Sequence, residues 1–63
     1  MNKDIIWTPN YGTLNSDILT PYGLPKYQIW GGRLYIDGGA DVYASGTVED
    51  CKLAAEIHRA ENA

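Results

Sequence analysis

Lys26-Tyr27-Gln28-Ile29-Trp30-Gly31-Gly32-Arg33-Leu34-Tyr35-Ile36 holds two alternating segments around a Gly-Gly pair. Alternation with a period of two is the pattern of a half-buried strand, and a two-residue glycine turn between two such runs is a hairpin signal. With the turn at Gly31 and Gly32, Trp30 stands opposite Arg33, Ile29 opposite Leu34, Gln28 opposite Tyr35 and Tyr27 opposite Ile36, and each opposed pair shares a face of the ribbon. One face is then Tyr27, Ile29, Leu34 and Ile36. The other is Gln28, Trp30, Arg33 and Tyr35, an aromatic and polar set of the kind enriched at protein interfaces.

Working outward from the hairpin, Asp37-Gly38-Gly39 precedes Ala40-Asp41-Val42-Tyr43-Ala44. A three-residue loop over 37–39 sets Ile36 opposite Ala40, Leu34 opposite Val42, Tyr35 opposite Asp41 and Arg33 opposite Tyr43. A two-residue loop would put Asp41 on the apolar face, so the three-residue form is preferred. The aromatic and polar face grows to Trp30, Arg33, Tyr35, Asp41 and Tyr43, and these five are the candidate partner-binding residues.

Gly46-Thr47-Val48-Glu49-Asp50 reads as a helix start, with Thr47 able to accept a backbone N–H of the first turn and the two acids complementing the positive helix end. From Val48 to about Glu61 there is no Pro or Gly and Ala is frequent. Cys51, Ala54, Ala55, Ile57 and His58 fall on one side of this helix, Glu49, Lys52, Glu56 and Arg59 on the other, and Leu53 at the margin. Small Ala and Cys side chains allow close approach to a sheet. The expected core is therefore Tyr27, Ile29, Leu34, Ile36 and Val42 beneath Cys51, Ala54, Ala55 and Ile57.

Before the hairpin, residues 4–8 are β-prone but end at Pro9, which fits an edge strand. Asn10 to Pro25 carries Pro21, Pro25, Gly12 and Gly23 among Asn, Ser and Thr, so it reads as an irregular segment that packs over a sheet edge, with one helical turn at Ser16-Asp17-Ile18-Leu19. Two readings of the outer aromatic face follow. Either this N-terminal segment covers Trp30 and Tyr35 while burying its own Ile5, Ile6 and Trp7, or the face is bare and binds a partner.

The chain has 63 residues, 44% of them hydrophobic, with one Cys and one His. That is one α+β domain over residues 1–63: an N-terminal strand and loop cover (1–25), a three-stranded antiparallel meander (26–44), and a C-terminal helix (47–61) packed on one face. So small a domain buries only about 60% of its unfolded surface, and a lone Cys offers neither a disulfide nor a zinc set. Self-association would enlarge the core. The net charge of −3 argues against phosphate-driven nucleic-acid binding, which uses clustered Lys and Arg. The N-terminal residues lack the apolar run of a leader or a membrane span, which with the reduced thiol points to the cytoplasm.

The chemistry of an enzyme is not legible. Cys51 and His58 are seven residues apart, roughly 10 Å by helical rise, too far to hydrogen-bond directly. Cys51 reads as a core hydrophobe, His58 as a capping or half-buried residue, and Gly31-Gly32 and Gly38-Gly39 as turn glycines without a phosphate-loop context. No catalytic, cofactor-binding or metal-binding residues are assigned.

Tyr27 to Ala60, with its Trp and Tyr hairpin and Gly46-Thr47-Val48-Glu49-Asp50-Cys51-Lys52-Leu53-Ala54-Ala55-Glu56-Ile57-His58, resembles a pattern in small phage-encoded accessory proteins, which often end in a similar Gly-Thr-Leu-Glu-Glu-Ala-Lys-Ala-Ala-Ala-Glu-Ala-His stretch. The resemblance covers about half the chain. It implies an inhibitor or regulator, such as an anti-CRISPR protein, that blocks a bacterial host enzyme (a defence nuclease or a polymerase) in the host cytoplasm. The alternative is a nucleic-acid or nucleotide binder that stacks bases on Trp30, Tyr35 and Tyr43.

Overall fold

A computed structural model describes residues 4–62. Residues 1–3, where the expectation of no leader in part falls, lie outside the described residues, as does residue 63. The fold is α+β: five antiparallel strands in sequence order, β1 (Trp7–Asn10), β2 (Thr13–Ser16), β3 (Tyr27–Trp30), β4 (Arg33–Ile36) and β5 (Ala44–Ser45), followed by one helix, α1 (Val48–Glu61).

The central hairpin has the expected register, Tyr27 with Ile36 through Trp30 with Arg33. Gly31 (φ 59°) and Gly32 (φ 73°) both adopt the left-handed region, the type I′ turn whose twist matches that of the strands. Gly32 is required for a second reason. A Cβ there would lie 2.7 Å from the carbonyl oxygen of Gly46, whose N–H donates to the Gly32 carbonyl at 2.8 Å.

Five strands replace the expected three, and the extra strand order comes from the N-terminal third. Tyr11 (φ 51°) and Gly12 (φ 83°) form a second two-residue turn with both φ positive, pairing Asn10 with Thr13 and Trp7 with Ser16. Thr13-Leu14-Asn15 then lies along Trp30-Ile29-Gln28, so residues 10–16 are not the irregular cover expected, while 17–25 are bends and turns as read, apart from one bridge. β1 starts later than residues 4–8 and includes Pro9. In a two-residue hairpin the pair beside the turn, Asn10 and Thr13, is the hydrogen-bonded one, which places Pro9 at a non-bonded pair with its nitrogen on the open edge, where a missing N–H costs no ladder bond and blunts the edge. Ser16 ends a strand instead of starting a helical turn. Its buried hydroxyl donates to the Ile18 carbonyl (2.9 Å) and accepts the Tyr27 N–H (3.1 Å), and Leu19 instead bridges Pro25.

The expected strand over Ala40–Ala44 shrinks to Ala44–Ser45, and its register moves by two. Leu34 faces Ala44 and Arg33 faces Ser45, so the pairings of Ile36 with Ala40, Leu34 with Val42, Tyr35 with Asp41 and Arg33 with Tyr43 do not form. Asp37 (φ 57°) and Gly38 (φ 70°) make a tight turn closed by the Gly39 N–H on the Ile36 carbonyl (3.0 Å), and the chain then runs outside the ladder until the Tyr43 N–H returns to the Leu34 carbonyl. Small Ala44, instead of branched Val42, takes the inner place beside Leu34, and Val42 stays 45% exposed.

Helix α1 begins as read. Asp50 N–H donates to Thr47 Oγ1 (3.1 Å) and Thr47 N–H to Asp50 Oδ2 (3.2 Å), a capping box. The helix packs on β3, β4 and β5. The buried core is Ile5, Tyr27, Ile29, Leu34, Cys51 and Ala55, with Ile36 and Ala54 partly buried around it together with Trp7, Leu14, Ile18 and Ala44. Ile57 is not core. It and Leu53 point to solvent, because with Cys51 and Ala55 facing the sheet a rotation of about 100° per residue carries positions 53 and 57 to the far side. No helix among the described residues is long and apolar enough to cross a membrane.

Candidate functional site: the open face of the sheet

Register and parity assign every strand residue to a face. Pro9, Leu14, Ile29, Leu34 and Ala44 form a transverse row on the helix side, and Trp7, Ser16, Tyr27 and Ile36 another. On the opposite side Asn10, Thr13, Trp30, Arg33 and Ser45 make one row, and Thr8, Asn15, Gln28 and Tyr35 the next. The single described helix covers the first side. None of the nine outer residues is buried, and Trp30 is 56% exposed.

The N-terminal segment does not cover this face. Ile5 is buried in the core, its N–H donating to Glu56 Oε2 on the helix at 2.7 Å, and Trp7 packs beside it on the inner side. The segment extends the sheet at its edge instead of capping it, so Trp30 keeps its exposure. The chemistry of the face is aromatic, amide and hydroxyl, with Arg33 as its one charge and no carboxylate at any outer strand position. Asn15 Oδ1 accepts from Gln28 Nε2 at 3.3 Å, which leaves further amide donors and acceptors directed at solvent.

Of the five residues singled out from sequence, Trp30, Arg33 and Tyr35 are brought together here; Asp41 and Tyr43 are not. Asp41 sits in the exposed loop after β4. Tyr43 leaves the face through a bulge: its N–H donates to the carbonyl of Leu34 (2.8 Å), the residue that Ala44 faces, so Tyr43 and Ala44 both oppose Leu34 and parity is lost. The Tyr43 ring stands edge-on to His58 with centroids 5.2 Å apart.

That contact belongs to a second cluster on the helix side. The Tyr27 hydroxyl lies 2.8 Å from His58 Nδ1, and the two rings are edge-on at 5.6 Å. The Tyr27–His58 pair was not read from sequence, where each appeared only as a core or capping residue; the two are 31 positions apart, and no local spacing signals such a pair. Burial, with Lys26 opposing, pushes the Tyr27 phenol above its ordinary 10.0. A cleft of about 330 Å³ beside it is lined by Ile18, Lys26, Tyr27, Arg59 and Asn62, and Lys26 Nζ is paired with Asp37 Oδ1 at 3.0 Å. Cys51 has no exposed surface. Burial, reinforced by the neighbouring Asp50 charge, pushes its thiol above 9.0, which disfavours the nucleophilic thiolate at neutral pH. Among the described residues no three His, Cys, Asp or Glu side chains are grouped to hold a metal ion.

Comparison with protein-family models, with curated proteins and with solved structures gives no match, so what the site does has to follow from its geometry.

Proposed function

We propose that this chain is a protein-binding inhibitor or regulator that docks on its partner through the open face of the sheet, with Trp30 and Arg33 as anchors and Tyr35 beside them. The observation that carries this reading is the bare outer face, where a Trp is more than half exposed next to an Arg. Exposed Trp, Tyr and Arg on a rigid surface are the residues that dominate binding energy at interfaces. A role in phage anti-defence, by blocking a bacterial nuclease or polymerase in the host cytoplasm, is the specific form that the likeness of the helix segment to phage accessory proteins supports.

Affinity capture from bacterial lysate with wild-type, Trp30→Ala and Arg33→Ala protein tests the reading: a partner must be retained by the first and lost by both variants. Restored phage plating on a host that carries a defence system, when the chain is expressed there, tests the anti-defence role. The absence of carboxylates from the outer strand positions also favours a second reading, base stacking on Trp30 and Tyr35. One Arg neutralises little phosphate, so such binding should be weak even at low salt. Submicromolar affinity for single-stranded nucleic acid in moderate salt, lost on Trp30→Ala, would put this reading first.

A further inference from the structure

The helix carries a surface of opposite character on the far side of the molecule. Its solvent wedge, about 120° wide by helical geometry, consists of Glu49, Asp50, Leu53, Ile57, Ala60 and Glu61, all exposed. Three carboxylates and no cation lie on it. Lys52 and Arg59 are half-buried on the adjoining flank, and Lys52 lines a cleft in which the wedge residues Glu49 and Leu53 meet Asp4, Ile5, Trp7 and Glu56, so acids outnumber the one cation there. Leu53 is 60% exposed and Ile57 49%, one turn apart, with Ala60 completing the stripe. Tyr43 stands against His58, the chain neighbour of Ile57, and is itself half exposed.

A helix face with aliphatic residues at i, i+4 and i+7 has the spacing by which helices seat in grooves, and acids on both borders determine the partner's sign. A second copy meeting the same face would set carboxylates against carboxylates. We propose that this wedge docks into a basic, apolar groove of a protein, with Leu53 and Ile57 as anchors and Glu49 and Glu61 facing its lysines or arginines. This surface is independent of the sheet face and gives the molecule two docking sides.

The test titrates isotope-labelled protein with a short amphipathic peptide of alternating Lys and Leu blocks, using a peptide of the same pattern with Glu in place of Lys as the control. Amide shifts should gather at Glu49, Leu53, Ile57 and Ala60. Binding should weaken roughly tenfold in Leu53→Gln and in Ile57→Gln, and should fall as salt rises from about 50 mM to about 300 mM. Both variants place a good helix former at an exposed position, so the fold survives. Trp30→Ala, which breaks the sheet-face reading, should bind the peptide as wild type does, so failure of one surface leaves the other standing. Shifts centred on Trp30 and Arg33, equal binding of the Glu peptide, no binding of the Lys peptide, or sedimentation showing that wild-type protein pairs through Leu53 would each overturn the proposal.

Discussion

The two sides of one sheet are built from alternate residues of the same strands, yet they hold the molecule in different ways. On the inner side Tyr27, Ile29 and Leu34 are at most 2% exposed under Cys51 and Ala55. There a side chain matters by its shape, since a close-packed interior registers the loss of a methyl group. On the outer side Trp30 and Arg33 are exposed and Tyr35 is partly exposed, and what Trp30 and Arg33 contribute to folding is small. In one strand Ile29 is a fold residue and Trp30 a binding residue, one peptide apart. The difference teaches that parity within a strand assigns a residue's task here better than its hydrophobicity does.

The largest effect expected from breaking this contrast lies at Leu34. Leu34→Ala empties a site with no exposed surface and should destabilise by about 2–5 kcal/mol, enough to unfold so small a domain at room temperature. Urea or thermal unfolding followed by circular dichroism checks it. A wild-type melting curve would mean that Leu34 is not beneath the helix.

Next comes the Tyr27 hydroxyl. Tyr27→Phe keeps the ring in its place and removes the hydrogen bond to His58 Nδ1, at an expected cost of about 1 kcal/mol. Tyr11→Asn should act in the opposite direction. Tyr11 holds φ 51° while fully exposed, and an aromatic residue in the left-handed region is strained where Asn is tolerated, so the variant should gain about 1 kcal/mol and melt several degrees higher. No gain would show that the Tyr11 conformation carries no strain.

A smaller effect is expected from pH. Both buried acids on the inner side, the Cys51 thiol and the Tyr27 phenol, titrate above their ordinary values in the folded protein. The folded state therefore holds protons that the unfolded chain has released, and stability from this source is complete below the ordinary thiol value of 9.0 and falls as pH rises through it and on through the phenol range. The urea midpoint should be level across neutral pH and decline above it, less steeply in Cys51→Ala.

The central hairpin was readable because three signals agree there: alternation, branched and aromatic residues, and a glycine pair at the turn. That agreement placed Trp30, Arg33 and Tyr35 on one face and Leu34 in the core. β2 was not readable, since Thr13-Leu14-Asn15-Ser16 has one large apolar residue and its turn uses Tyr11-Gly12 where Asn-Gly is the usual signal. Residues 40–45 misled for another reason. Two slips of even length keep the same parity, so alternation alone cannot choose between Val42 and Ala44 opposite Leu34, and the choice is made in space by the helix, which leaves room for Ala. The same bulge reversed Tyr43, whose partner His58 lies in another element.

Arg33→Ala tests most directly the claim that the outer face binds and the inner face folds. Arg33 lies in the most exposed row of the outer face and faces only Trp30 and Ser45 across the strands. The account predicts a folding free energy within about 0.5 kcal/mol of wild type, together with loss of the captured partner, both measured on one preparation. A variant that unfolds, or one that stays folded and retains the partner as wild type does, would contradict it.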